Sequence, residues 1–236
     1  MGDAPIPLIM TRPAEASGRF VEQLPGSLAR KLTVIDSPLV EIVPETTTRE
    51  INAGTAVIFT SANGVRFAPK GQGRPAFCVG PHTTEAARRA GWDSTCCGET
   101  SDALVAALVA QPPAADLLHI SGRHTRGQII ERLGAQGLNV ARMVVYDQVL
   151  HPLTPRARAV LEEAKPAIVP IFSPRTAAQF AQECPEDARP YVIALSDSVA
   201  EPLSDLRLAA LEITARPDAA AMVDSLEKLV ARISLG

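Results

Sequence analysis

The chain repeats itself once, at long range. AVIFTSANGVRF at 56–67 returns as AIVPIFSPRTAAQF at 167–180, each reading as an apolar strand, a hydroxyl and a helix, with Ser61 and Ser173 in equivalent places. The opening LIMTRPAEASGRFVEQL at 8–24 is echoed by LLHISGRHTRGQIIERL at 117–133, which sets Arg12 against Arg123. AFCVGPHTTEAARRAGW at 76–92 has a counterpart in YVIALSDSVAEPLSDLR at 191–207, and DALVAAL at 102–108 in AAMVDSL at 220–226. The offset stays between 109 and 118 positions, far above the roughly 20–50-residue periods of solenoids. A chain of this kind builds one supersecondary arrangement twice, so two similar domains with a cleft between them are expected.

Composition narrows the classes. With 236 residues, 46% of them apolar and 21% charged, the chain can bury two modest cores in the manner of an ordinary globular protein. No apolar run reaches membrane-spanning length, and Asp3 and Pro5 stand where a secretory leader needs a basic start, so a cytoplasmic location is expected. Nineteen of the 23 basic residues are Arg, yet the net charge is -3, which argues against a nucleic-acid coat. Cys78, Cys96, Cys97 and Cys184 form no CxxC pair, and His82, His119, His124 and His151 supply no metal-ligand spacing beside them. No metal site is expected.

Short apolar runs (PLIM, AVIF, AFCV, DLLHI, AIVPIF, YVIAL) alternate with helical periods, the pattern of α/β units with parallel sheets. Thr11, Thr60-Ser61, Ser121 and Ser173-Pro174 follow strands and suit N-caps, with Pro174 in a first helical turn. Pro170 removes a ladder donor, which predicts a bulge there or an edge strand. Met222, Leu226, Leu229, Val230 and Ile233 share one face of a final packing helix. Two β-branched runs bounded by proline, 34–44 and 143–153, break the βα rhythm and read as linkers with strand character. The expected layout is a discontinuous α/β domain from 1–36 plus 153–236, a second from 43–146, and linker strands at 37–42 and 147–152. Each copy's first βα unit then completes the other copy's sheet.

The ordered set Thr11-Arg12-Pro13, IFTSANGV at 58–65, VGPHTTEAARRAG at 79–91 and VVYDQV at 144–149 resembles the uroporphyrinogen-III synthase family over nearly the full length. The resemblance implies two α/β domains with parallel sheets flanked by helices, joined by a two-stranded linker. It implies a cofactor-independent cyclising lyase of tetrapyrrole (haem) biosynthesis, acting on hydroxymethylbilane. The last pyrrole ring, ring D, is inverted through a spiro intermediate to give uroporphyrinogen III. Expected partners are that substrate and a hand-over from the preceding deaminase, with no nucleic acid and no membrane; a monomer is expected.

Ring closure begins with loss of the terminal hydroxyl, which a hydrogen-bond donor assists. The resemblance assigns that role to Tyr146, which otherwise reads as a structural ring under its linker. The azafulvenium left behind is stabilised by its own pyrrole nitrogen, so the enzyme's task is geometric. Eight substrate carboxylates call for donors, which helix N-termini and guanidinium groups supply. Ser61, Thr83, Ser173 and Ser198 match the family's hydroxyl positions, and each reads equally as a plain N-cap. Arg12 and Arg126 match its basic positions better than Arg175 does. One turn departs from the family: Leu195-Ser196-Asp197-Ser198 stands where a Gly-Pro turn is expected, and it puts an acid near an anionic substrate. Two competing readings are a non-catalytic two-domain binding protein or sensor for a small anionic or tetrapyrrole ligand, and a degenerate relative that binds tetrapyrroles without rearranging them.

Overall fold

A computed structural model of the chain describes residues 4–52, 54–125, 127–163 and 165–234. It opens with β1 (Ile6–Met10), α1 (Ala14–Val21), α2 (Gly26–Ala29), β2 (Leu32–Asp36) and β3 (Val40–Pro44). The middle runs β4 (Ala56–Phe59), α3 (Ala62–Phe67), β5 (Pro75–Cys78), α4 (Pro81–Arg89), β6 (Asp93–Cys96), α5 (Ser101–Ala110), β7 (Leu117–Gly122), α6 (Ile129–Gly134) and β8 (Val140–Leu150). The last third adds α7 (Pro155–Glu162), β9 (Ile168–Ile171), α8 (Pro174–Glu183), β10 (Tyr191–Ala194), α9 (Asp197–Ala200), β11 (Ala210–Ile213) and α10 (Ala219–Ile233). Contacts divide the chain into one unit of Met1–Glu41 with Leu150–Gly236 and another of Ile42–Val149.

In the first unit the strands lie in the order β11-β10-β9-β1-β2, and every recorded pairing is parallel. Alternation along the strands divides the core. Ile9, Ile35, Val169, Ile171 and Val192 pack with Ala157, Leu161, Ala177 and Phe180. Leu8, Met10, Ile168 and Ile193 point the other way, onto Phe20, Leu24, Met222, Leu226, Leu229 and Val230. The period of two thus buries both faces, with helices on each. Pro170 lies in β9, a central strand rather than an edge. The ladder from β9 to β10 spans four residues, whereas only Leu8 and Ile168 register between β1 and β9. The sheet absorbs the missing donor on the β1 side.

The second unit repeats that order as β6-β5-β4-β7-β8 and adds β3 outside β8. Val57, Phe59, Leu118, Ile120 and Met143 pack with Val65, Ala87 and Trp92 on one face, and Ala56, Ile58 and Leu117 with Leu104, Leu108, Ile129 and Leu133 on the other. Glu45 N–H donates to Val145 O at 2.9 Å and His151 N–H to Leu39 O at 3.0 Å. One number falls as the other rises, so the segments through β3 and β8 run antiparallel. In each sheet one copy's first strand, β1 or β7, sits beside the other copy's β9 or β4. With strands numbered along each repeat, β1, β2, β4, β5, β6 and β7, β8, β9, β10, β11, both sheets read 2-1-3-4-5, a doubly wound order that reverses between those two strands.

Candidate functional site

In open α/β sheets, ligands gather at the carboxyl ends of the strands where the order reverses. In the first unit this point lies between β1 and β9, so Thr11-Arg12 and Phe172-Ser173 meet there. The Arg12 guanidinium carbon stands 4.1 Å from the centroid of the Phe172 ring. Arg12 is half-buried and has no carboxylate partner among the described residues. Burial first, and the nearby Arg19 second, lower its pKa from the ordinary arginine value. A cation held this way, desolvated and facing like charge, favours an incoming anion. Thr11 Oγ1 beside it is buried without a hydrogen-bond partner, so Thr11 is not the expected cap; Pro13 occupies that position of α1.

Ser173 N-caps α8: the Thr176 N–H donates to its Oγ at 3.1 Å, and Thr176 Oγ1 lies 2.8 Å away. Pro174 fills the first turn as expected. Ser198, one strand further out, is not a cap. Ser196 holds the N-cap position of α9, and Ser198, exposed inside the helix, has its Oγ 3.0 Å from that of Ser196. Asp197 is the first residue of α9 and is exposed.

In the second unit the reversal lies between β7 and β4. Ser61 caps α3, its Oγ accepting from Asn63 N–H at 3.1 Å. Thr83 is buried inside the first turn of α4, whose N-cap is Gly80 at φ +78°. Only glycine adopts that conformation freely, so the cap reading fails for Thr83. Ser121 likewise is no cap. It is the penultimate residue of β7, and its Oγ accepts from Arg142 Nε at 3.2 Å. Arg126 lies outside the described residues.

Tyr146 is 5% exposed on β8 and belongs to the core cluster beneath α3 and α4. Its ring centroid is 5.9 Å from that of Phe67, and its Cε2, Cζ and Cδ2 edge rests against Gly122. No hydrogen-bond partner of its hydroxyl occurs among the described residues. Arg123, the echo of Arg12, is instead neutralised: it pairs with Glu45 and, at 3.3 Å, with Asp147, which also lies 3.4 Å from His124. The two copies have therefore diverged, one keeping an arginine with no acidic partner among the described residues and the other an internal ion-pair cluster. His119 is 3% exposed with Nε2 3.4 Å from Thr60 Oγ1, and burial, then Arg142, push its pKa down to about 4. It is a neutral ring in the wall of the unit. The described residues contain no His, Cys, Asp or Glu group able to hold a metal ion, and none of their helices is long and apolar enough to cross a membrane.

The sequence did not single out Gly122 or Arg142, and His119 drew notice only as a possible metal ligand. A glycine closing a buried strand was the one available signal for the first; the role of Arg142 and the neutral state of His119 become visible only when β7 and β8 are paired.

A family model described as uroporphyrinogen-III synthase HemD matches residues 25–224. The uroporphyrinogen-III synthetase of Helicobacter pylori superposes with a TM-score of 0.70 at 16% identity, covering 95% of this chain and 99% of that one. A mutant uroporphyrinogen III synthase of the extremely thermophilic bacterium Thermus thermophilus gives 0.52 at 12% identity, covering 96% and 99%. No curated protein matches the chain. At these identities the structures establish the fold, and the family match, which spans most of the chain, establishes the kinship.

Proposed function

The chain belongs to the uroporphyrinogen-III synthase family, and we propose that it performs the family's reaction without a cofactor, with Tyr146 as the donor to the departing hydroxyl. The reaction is a cyclising lyase step of tetrapyrrole biosynthesis. Hydroxymethylbilane loses its terminal hydroxyl, closes with inversion of ring D through a spiro intermediate, and becomes uroporphyrinogen III. A hydrogen bond or proton from a phenol converts hydroxide, a poor leaving group, into water. The azafulvenium that remains is attacked by the substituted carbon of ring D, and closure at the free carbon yields the type I isomer. Holding the chain ends so that the substituted carbon reaches first is the larger part of catalysis.

Arg12, Ser61, Thr83, Arg126, Ser173 and Ser198 are the proposed contacts for the substrate's carboxylates. The observation that carries this is the half-buried Arg12, stacked on Phe172 without an acidic partner among the described residues, at the strand end beside Ser173. Guanidinium forks match carboxylates, and desolvation strengthens the pairing. Ser198, which caps nothing and is exposed, presents a hydroxyl to a ligand, whereas Thr83 is buried in the first turn of α4 and would reach one only through the neighbouring backbone amides. The domain limits are proposed as 1–36 with 153–236, and 43–146, with the intervening strands as connectors. A cytoplasmic monomer that takes its unstable substrate from the preceding deaminase completes the reading.

The test supplies hydroxymethylbilane to the purified chain, oxidises the products and resolves the isomers. Type III product above the spontaneous type I background supports the reading, and Tyr146→Phe lowers kcat at least ~10-fold, the lower part of the usual general-acid contribution. A type I product equal to the blank overturns the reading and leaves the binding-protein and degenerate-relative alternatives.

A further inference from the structure

β7 and β8 pair residue for residue from Leu117 with Val140 to Ser121 with Val144, and then the register skips one position to set Gly122 against Tyr146. Neighbours on a regular strand point to opposite faces, yet Val145 and Tyr146 both lie in the same core cluster. The extra residue in β8 turns the tyrosine toward β7. Bulges of this kind re-aim side chains, and they concentrate beside active sites.

Two residues fit the bulge to the ring. A Cβ placed on Gly122 would stand 2.4 Å from Cε2 and 2.5 Å from Cζ of Tyr146, so the ring occupies the space that any side chain at 122 requires. Arg142, four residues before Tyr146 on β8, reaches across and fastens the other strand's turn. Its Nη2 donates to Gly122 O at 2.6 Å and to Arg123 O at 2.7 Å, and its Nε to Ser121 Oγ at 3.2 Å. Arg123 N–H in turn donates to Tyr146 O at 2.9 Å. One planar guanidinium therefore holds three consecutive residues of the strand end on which the ring lies, a task that a lysine ammonium cannot share.

We infer that Gly122 and Arg142 are positioning residues, which set the place of the Tyr146 hydroxyl by shaping the bulged end of β7. This rests on the role proposed for Tyr146. A shift of about 1 Å in a group taking part in the reaction is enough to cost roughly 100-fold.

The chain has two tyrosines, so protein grown with 3-fluorotyrosine gives one 19F resonance for Tyr146 and one for Tyr191. Arg142→Lys and Gly122→Ala are expected to move the Tyr146 resonance and leave that of Tyr191 in place. Each lowers kcat roughly 10- to 100-fold with KM within about twofold, and neither lowers it further in a Tyr146→Phe background, the non-additivity of residues acting as one unit. If Gly122→Ala does not fold, Arg142→Lys carries the test alone. A Tyr146→Phe enzyme that keeps its kcat sinks both the tyrosine's role and this inference. A slow Tyr146→Phe enzyme beside an Arg142→Lys enzyme of normal kcat, unmoved resonance or additive loss sinks the inference alone.

Discussion

Ser173 is both a helix cap and a proposed carboxylate contact, and one substitution separates the two roles. Its Oγ accepts the Thr176 N–H at 3.1 Å, and Thr176 is buried, so Ser173→Ala leaves an amide without its partner. The expected cost is about 1 kcal/mol, or roughly 2–4 °C in the melting temperature of a chain of this size. Ser173→Asp keeps an acceptor in the same place and adds a negative charge at the start of a ten-residue helix, which is worth about 0.3–1 kcal/mol in the stabilising direction. Stability is therefore expected to rank Asp at or above Ser, with Ala below both. Activity is expected to rank differently. An anion fixed on the rim that carries Arg12 repels a substrate carboxylate and removes a charge-assisted hydrogen bond worth about 1.5–3 kcal/mol, a loss of roughly 10- to 150-fold in kcat/KM. Thermal melts paired with initial rates on hydroxymethylbilane read both orders. A Ser173→Asp enzyme with wild-type kcat/KM refutes the reasoning and leaves Ser173 as a cap alone.

Two further outcomes follow from buried groups. His119 has its pKa depressed to about 4 by burial, then by Arg142, with Glu131 opposing. Its contribution is present above about pH 6.5, the unfolded value, and is lost as pH falls from there toward 4. The unfolding free energy from urea titrations should fall across that window by about 1.4 kcal/mol per pH unit, and His119→Gln should flatten the fall; equal slopes contradict it. The Cys78 thiol is pushed up to about 12 and that of Cys184 to about 11, in both cases mainly by burial, while Cys96 is exposed. Iodoacetamide on the native protein should label Cys96 first by peptide mass spectrometry, and early labelling of Cys78 would count against the buried strand end.

The α/β class with parallel sheets was legible because its signal is local. Alternating apolar runs such as LIM at 8–10 and VIF at 57–59 have to be covered on both faces, and only flanking helices do that. The final helix was legible for the same reason, since Met222, Leu226, Leu229 and Val230 are buried as their spacing demands. Cap chemistry was half legible. Ser61 and Ser173 accept the expected amides, but Thr11, Thr83, Ser121 and Ser198 do not cap, because a hydroxyl after a strand says nothing about where the next helix begins. Pro170 misled for a related reason: its missing donor rules out a bond, not a position, and the shortened β1 ladder tolerates it in the centre of the sheet.

By itself the sequence determined the duplication, the strand and helix periods, and the hydroxyls and arginines near the strand ends, since these depend on residue type and spacing along one segment. Tertiary structure alone decided which arginine has no acidic partner among the described residues. Arg12 and Arg123 are equivalent in the repeat, yet Arg123 meets Glu45 from the segment after β3 and Asp147 from β8, whereas Arg12 meets a phenyl ring. It also decided that Gly122 and Tyr146 share one space, because the skipped register that joins them belongs to the pairing of two strands and is written in neither strand alone.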